Sequence, residues 1–463
     1  CKWSLVKFAL RLINPYIKFM KQIFLLSFFS YVMLNASPLQ THVDVGITGD
    51  YIPNDAKTHD RYQAWSFPLN VDFKIFGSPG LSFNLGLSFN KTTVPYIGKN
   101  LGNLGDTPDV PFVQWNASPI YPYVSKAFVE YDATYGLFRM GRREVHWGLG
   151  IWRNSSDPFL VASTLDGLEW NLQFSSLVFT ASLDKWWEGD PNNHKDDFDG
   201  YTLQVTTLDE EALSKGFTKK VGLSVSILEQ MSTTTELNLV DFFAKIYVES
   251  FYSGFEILLP TKSRSRSPQY AQLGGQEACS NSDLTCDNQN FDGYAFLWEG
   301  KYTFGSESLV WMKSQALLST AERPESHMIG LKTGLSTGSN SGQSIHSLPL
   351  HPAISPGLLM FNANRVPDNN LPGPLVQNAF FVEGAYGYHM PQWGTFEPSL
   401  LWAKTNDSAQ NNLGIEADLK YTYTDTKGVQ GGILGAVWLS GDAFGETREK
   451  TCLGLRVFAK TSF

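Results

Sequence analysis

Charged side chains stand at every second position of several apolar stretches, and that spacing is where the chain's chemistry must lie. In Leu413–Tyr423, read LGIEADLKYTY, Glu416, Asp418 and Lys420 alternate with Leu413, Ile415, Ala417 and Leu419. A period of two puts the two sets on opposite faces of a strand. The acids placed in this way are Asp44, Asp72, Glu130, Asp132, Glu169, Asp184, Asp241, Glu256, Glu299, Glu383, Glu397, Glu416 and Asp418. The bases are Lys74, Lys126, Arg139, Arg143, Lys245, Lys301, Lys313, Lys420, Arg456 and Lys460. Such a set can close on itself as ion pairs that stiffen a wall, or hold a transverse field that screens and steers solutes. Within it Lys126, Arg139 and Arg143 are the group best suited to an anionic solute, because guanidinium forks match carboxylate and phosphate. Glu130 is close enough to neutralise them.

Other chemistries are weaker. His194 lies beside Asp196, Asp197 and Asp199 in DPNNHKDDFDG, a donor set that could take a divalent cation through oxygen. It lacks the full calcium-loop spacing, and a solvated outer loop is the plainer reading. Cys279 and Cys286 share one polar loop, seven residues apart, and are expected to form a disulfide in an oxidising compartment. No His or further Cys stands near them to make a zinc site. Cys452 receives no role. No Ser–His pairing stands at a strand end, and no catalytic residue and no cofactor is expected. The net charge of −9 argues against nucleic acid.

The elements that must position the charges are strands. Only 17% of the 463 residues are charged, while 14% are aromatic, which excludes a disordered chain. No apolar run of about 18 residues occurs beyond the N-terminal region, which excludes a bundle of membrane helices. Trp65–Ile75, Leu81–Phe89 and Leu453–Phe463 repeat the alternation of Leu413–Tyr423. About eighteen such segments can be counted, with sixteen the neighbouring even number, and one of them is 307–317. Several have about the 11 residues that a tilted membrane strand needs.

The connectors alternate as well. GSPG (77–80), AT (133–134), SES (306–308), PQW (391–393) and DTKG (425–428) are short; 92–121, 144–165, 261–290 and 318–377 are long. Short turns on one side and long loops on the other are the plan of a closed transmembrane barrel. Aromatic residues fall at strand ends, as two interfacial girdles would require: Tyr51, Trp65 and Trp402 at one side, Tyr386, Tyr388, Phe396 and Tyr421 at the other. The connector 318–377 carries the apolar run PGLLMF at 356–361. An apolar run does not stay in water, so it is expected to fold into the barrel mouth or lumen, or to pack on neighbouring loops at the rim.

Residues 1–36 hold five basic residues, no acid, the apolar run Ile23–Leu34 and the small residue Ala36. That order is a secretory signal peptide, with cleavage expected at Ala36–Ser37 and residues 1–19 read as an extension ahead of the true start at Met20. The chain ends in GLRVFAKTSF. A terminal Phe463 after alternating apolar residues resembles the last strand of Gram-negative outer-membrane β-barrels, which their assembly machinery recognises. Phe138–Trp170, with Gly141-Arg142, Trp147-Gly148 and Asp166-Gly167-Leu168, is similar to the alginate-export family of eighteen-stranded porins; Arg143 stands where that family usually has Gln. The resemblance implies an all-β antiparallel outer-membrane barrel over 37–463, with short periplasmic turns and long extracellular loops. Lipid and lipopolysaccharide would surround it, and a hydrophilic solute would pass through its charged lumen. The alternative is a plugged surface barrel that binds glycan or serves the envelope structurally.

Overall fold

The computed structural model describes residues 39–52, 62–66, 68–76, 80–89, 123–155, 164–186, 198–207, 217–230, 235–264, 290–291, 293–305, 324–337, 344–345, 350, 354, 356–361, 376, 379–406, 412–442 and 451–462. The expected signal segment 1–36, and Cys279, Cys286, His194, Asp196, Asp197, Lys313 and Phe463, lie outside the described residues.

The wall is one antiparallel sheet. Its strands are β1 (Leu39–Ile52), β2 (Tyr62–Ser66), β3 (Leu69–Phe76), β4 (Leu81–Phe89), β5 (Tyr123–Ala133), β6 (Gly136–Glu144), β7 (Thr164–Phe174), β8 (Leu177–Trp186), β9 (Phe198–Thr207), β10 (Phe217–Gln230), β11 (Thr235–Val248) and β12 (Phe251–Arg264). It continues with β14 (Ala295–Gly305), β15 (Ser326–Ser336), β17 (Ala379–Met390), β18 (Gly394–Thr405), β19 (Asn412–Thr424), β20 (Gln430–Ser440) and β21 (Thr451–Ser462). Two dipeptides, β13 (Asn290–Phe291) and β16 (Ser344–Ile345), pair in parallel apart from the wall. Each wall strand pairs with the next, and β1 closes the ring on β21, from Asp44↔Ser462 to Tyr51↔Leu455. β2 and β3 are two halves of one strand, both paired to β1. Pro68 separates them because it has no N–H to give the ladder; its carbonyl still accepts from Gly46 N at 2.8 Å. The barrel therefore has eighteen strands and no open edge, the condition for a sheet to face lipid.

One segment is corrected. The sequence reading placed a strand at 307–317 and treated 318–377 as a single loop. β14 instead pairs with β15 at 326–336, which pairs in turn with β17. The expected strand 307–317 itself, with Lys313, lies outside the described residues. β15 reads SHMIGLKTGLS, whose glycines look like turn punctuation. Gly334 is there for space: a Cβ would strike the Phe381 ring on β17.

The outward face is an apolar band. Met140, Leu203, Leu400 and Leu419 are more than half exposed. On the short-turn side the band ends in stacked rings: His327 lies between Phe304 (5.0 Å, 10°) and Tyr388 (4.6 Å, 9°), and Phe396 packs on Tyr421 at 4.9 Å. At the other end outward charges take over, Arg142 gripping Asp166 with two bonds of 2.6 and 2.7 Å.

Inside, the two ends of the barrel differ. Inward positions near the long-connector ends carry Leu165, Leu228, Leu239, Leu258, Leu297, Phe381, Leu401, Trp438 and Cys452, all buried in one apolar cluster. The chain itself fills that space. Ile151 and Trp152 from the β6–β7 connector, and Leu350, Ile354, Leu358, Leu359, Met360 and Phe361 from the connector after β15, belong to the same cluster.

Candidate functional site

Toward the short-turn side the inward positions are polar and enclose a cavity of ≈ 980 Å³. Its wall runs from β1 and β3 through β11, and the β6–β7 connector covers it with Val145, His146, Trp147, Gly148 and Arg153. The alternation that sends Phe138, Leu168 and Leu183 outward turns Arg139, Glu169 and Asp184 to this cavity.

The structure brings Lys126, Arg139 and Arg143 together on its wall and gives each of them carboxylate partners. Lys126 Nζ lies 2.6 Å from Asp72 and 3.4 Å from Glu144. Arg139 donates to Glu130 at 2.8 Å and to Glu169 at 2.9 Å. Arg143 donates to Glu169 at 2.9 Å and to Asp184 at 2.6 Å. Lys74 completes the chain by reaching Glu130 at 3.1 Å. The register explains the pattern: Glu130 stands opposite Arg139, and Arg139 opposite Glu169, on successive strands. This patch is thus a ladder of alternating charge across β3–β8. Such bonds between ionised partners are short and orienting.

Two further bases line the same cavity. Lys220 on β10 and Lys245 on β11 stand directly opposite one another, so two ammonium groups share one level of the wall. His146 lies on the connector above. Burial, and then the Lys245 charge, push its imidazole below the ordinary value. Arg153 on that connector reaches Thr202 Oγ1 at 2.8 Å and Ser226 Oγ at 3.2 Å. Sequence reasoning passed over Lys220, His146 and Arg153. The first had a signal, since counting back by twos from Ser224 through Gly222 places Lys220 on the lumenal face. The other two lie in a connector without periodicity.

The remaining expected lining residues lie on the opposite wall. Lys332 stands opposite Glu383, and Lys420 opposite Glu397, in register. Glu299 accepts from Tyr252 at 2.5 Å, and Lys301 is exposed one inward step below it. Arg456 and Lys460 share the inward parity of Gly454 on β21. Glu416 does not face open space. It is fully buried and accepts backbone N–H groups from Leu358 (2.6 Å), Leu359 (2.7 Å) and Met360 (2.6 Å). Asp199 faces outward on β9, 3.9 Å from Lys185. Among the described residues there is no cluster of three or more metal-ligating side chains.

No family model and no curated protein sequence matches the chain. Solved structures do resemble it. Acinetobacter baumannii OccAB1 superposes with a TM-score of 0.51 at 10% identity, covering 91% of this chain and 96% of its own. Pseudomonas aeruginosa OccK9 (OpdG) gives 0.51 at 12%, covering 92% and 98%. Pseudomonas aeruginosa OccK8 (OprE) gives 0.50 at 12%, also covering 92% and 98%. At these identities the likeness is one of fold: the eighteen-stranded barrel, matched over nearly the whole length of each chain.

Proposed function

We propose that the chain is a Gram-negative outer-membrane porin that passes small hydrophilic solutes through its charged lumen. The observation that carries this reading is a closed barrel with an apolar exterior and an ionised interior cavity of ≈ 980 Å³. A charge facing lipid at the midplane costs about 2–4 kcal/mol, so a wall that keeps Lys126, Arg139, Arg143 and Glu169 inside is built for water within. The likeness of Phe138–Trp170 to the alginate-export porins points to the same class of hydrophilic solute. The setting is the outer membrane, with lipid and lipopolysaccharide against the apolar band. Export through the segment 1–36 and assembly through the strand ending in Phe463 complete the proposal.

An anionic group in the cavity would meet Lys220 and Lys245, which share one level of its wall. A second reading, a plugged barrel that binds at the cell surface, is favoured by the apolar cluster across the long-connector end. Planar-bilayer recording of the purified protein separates the two. Stepwise currents with a measurable anion-to-cation ratio are expected, and a silent, correctly folded barrel overturns the porin reading.

A further inference from the structure

Two turns inside the barrel are built alike. In the β6–β7 connector the turn reads Gly148-Leu149-Gly150-Ile151; in the connector after β15 it reads Gly357-Leu358-Leu359-Met360. Each begins with a glycine in the left-handed region, φ 56° at Gly148 and 71° at Gly357. Each glycine lies against one wall carboxylate, where a Cβ would come within 2.5 Å of Glu256 and 2.6 Å of Glu416. Each carboxylate then accepts successive backbone N–H groups. Glu256 takes those of Leu149 and Gly150, the latter at 2.9 Å; Glu416 takes those of Leu358, Leu359 and Met360. Both glutamates are fully buried on inward positions of the wall, Glu256 on β12 and Glu416 on β19.

Gly150 N also donates within its turn, to Trp147 O at 2.9 Å; the other N–H groups turn to the carboxylate, and a buried N–H without an acceptor is costly. A carboxylate with several lone pairs satisfies them together. We infer that Glu256 and Glu416 are positioning residues, each holding one inward turn by its backbone, and that the two turns they hold set the free cross-section of the lumen. The holding follows from the bonds just given; the effect on cross-section also rests on the porin reading.

The chain carries its own reporter. Cys452 is buried on β21, one inward position from Gly454, and Gly454 lies against Leu358 and Leu359 of the second turn. A membrane-impermeant maleimide, with the label located on the Cys452 peptide by mass spectrometry, therefore reads whether that turn is in place. Glu416→Ala in a heat-modifiable, folded barrel should speed Cys452 labelling by about tenfold or more, since it removes the acceptor of three buried N–H groups at once. Glu416→Gln keeps one acceptor oxygen and should fall between Ala and the parent. Glu256→Ala should leave Cys452 protected, because that glutamate holds the other turn. Labelling of Glu416→Ala at the parent rate, or equal labelling of Glu256→Ala, overturns the inference. In the bilayer, Glu416→Gln should raise single-channel conductance. An unchanged conductance with faster labelling removes the cross-section claim alone, and a parent that never conducts removes the porin reading while the labelling still decides the anchoring.

Discussion

On β7 the inward side chain near the long-connector end is Leu165, and two inward steps lower it is Glu169. On β10 the same descent runs from Leu228 to Ser224 and then Lys220, and on β11 from Leu239 to Lys245. One set of strands therefore lines two different interiors, an apolar one above and an ionised one below. The upper inward positions meet the chain's own turns, and with water excluded most of them are apolar as in a soluble core, while Glu256 and Glu416 accept the turns' N–H groups. The lower ones meet a cavity and keep their charges in pairs. The outward face stays apolar through the band between the girdle and the outward charges, so there each strand is two-faced only where the lumen is wet.

That contrast can be broken by substitutions whose cost differs between the two interiors. The largest loss of stability is expected in the ionised half. Arg143 is 4% exposed and its partner Asp184 is 1% exposed in their side chains. Arg143→Ala takes the paired charge from Asp184, which keeps the hydrogen bond from Ser182 Oγ at 2.6 Å, and removes one of the partners of Glu169. Breaking a buried pair from one side costs about 3–5 kcal/mol. Urea unfolding in lipid vesicles should show it. A loss under about 1 kcal/mol would mean that water reaches Asp184 and that this part of the wall is wetter than the geometry indicates.

Next comes the apolar half. Leu258 is fully buried in the cluster under the turns, and Leu258→Ala should cost about 3 kcal/mol through lost transfer energy and a residual cavity. The same unfolding measurement reads it. If the loss matches that of an outward leucine such as Leu419, the upper lumen is open rather than packed.

These two regions also explain what could be read from the sequence. The alternation of charged and apolar residues revealed the strands and sent Glu130, Arg139, Glu169 and Lys420 inward, because around the cavity the two faces differ in polarity. Where the lumen is packed, that signal fails. Val437-Trp438-Leu439 is apolar on both faces, as is Phe380-Phe381-Val382. Leu413 was assigned to the lipid face with Ile415, yet it is fully buried inside. Gly414, at φ 108°, and a register shift beside Ala403 form a bulge there, which reverses the parity. β15 was missed inside the connector 318–377 because its glycines interrupt the alternation, although Gly334 makes room for Phe381. The ion-pair ladder needed the register as well as the faces. Only paired strands reveal that Arg139 lies between Glu130 and Glu169.

A smaller effect is expected at Lys74. Its side chain is 35% exposed, and Glu130 keeps Arg139 when Lys74 is removed. Lys74→Ala should cost no more than about 1 kcal/mol, reduced further by salt. Comparing its unfolding at low and high ionic strength with that of Arg143→Ala tests the gradient across the ladder, screened at Lys74 and unscreened at Arg143. Equal salt sensitivity at both positions would remove that gradient.

The smallest effect on stability, and the one most specific to function, is expected at Lys220. Like charges directly opposite on neighbouring strands repel, by an amount within the range of about 0.2–1 kcal/mol for cross-strand pairs. Lys220 and Lys245 occupy such a position on the wall of the cavity. Lys220→Gln keeps the length and polarity of the side chain while removing one of the two charges. Stability should stay level or rise by a few tenths of a kcal/mol, since the repulsion is relieved. The reversal potential under a salt gradient should shift toward cations, because a fixed positive charge on the permeation path has gone. That shift should shrink as ionic strength rises and the Debye length falls to about 3 Å at 1 M. The combination matters more than either part. A residue that only braces the wall loses stability when neutralised and leaves selectivity alone, whereas one retained for solutes does the reverse. If Lys220→Gln destabilises the barrel and its reversal potential equals the parent's, this lysine pair is part of the scaffold, and an anionic solute must be recognised elsewhere in the cavity.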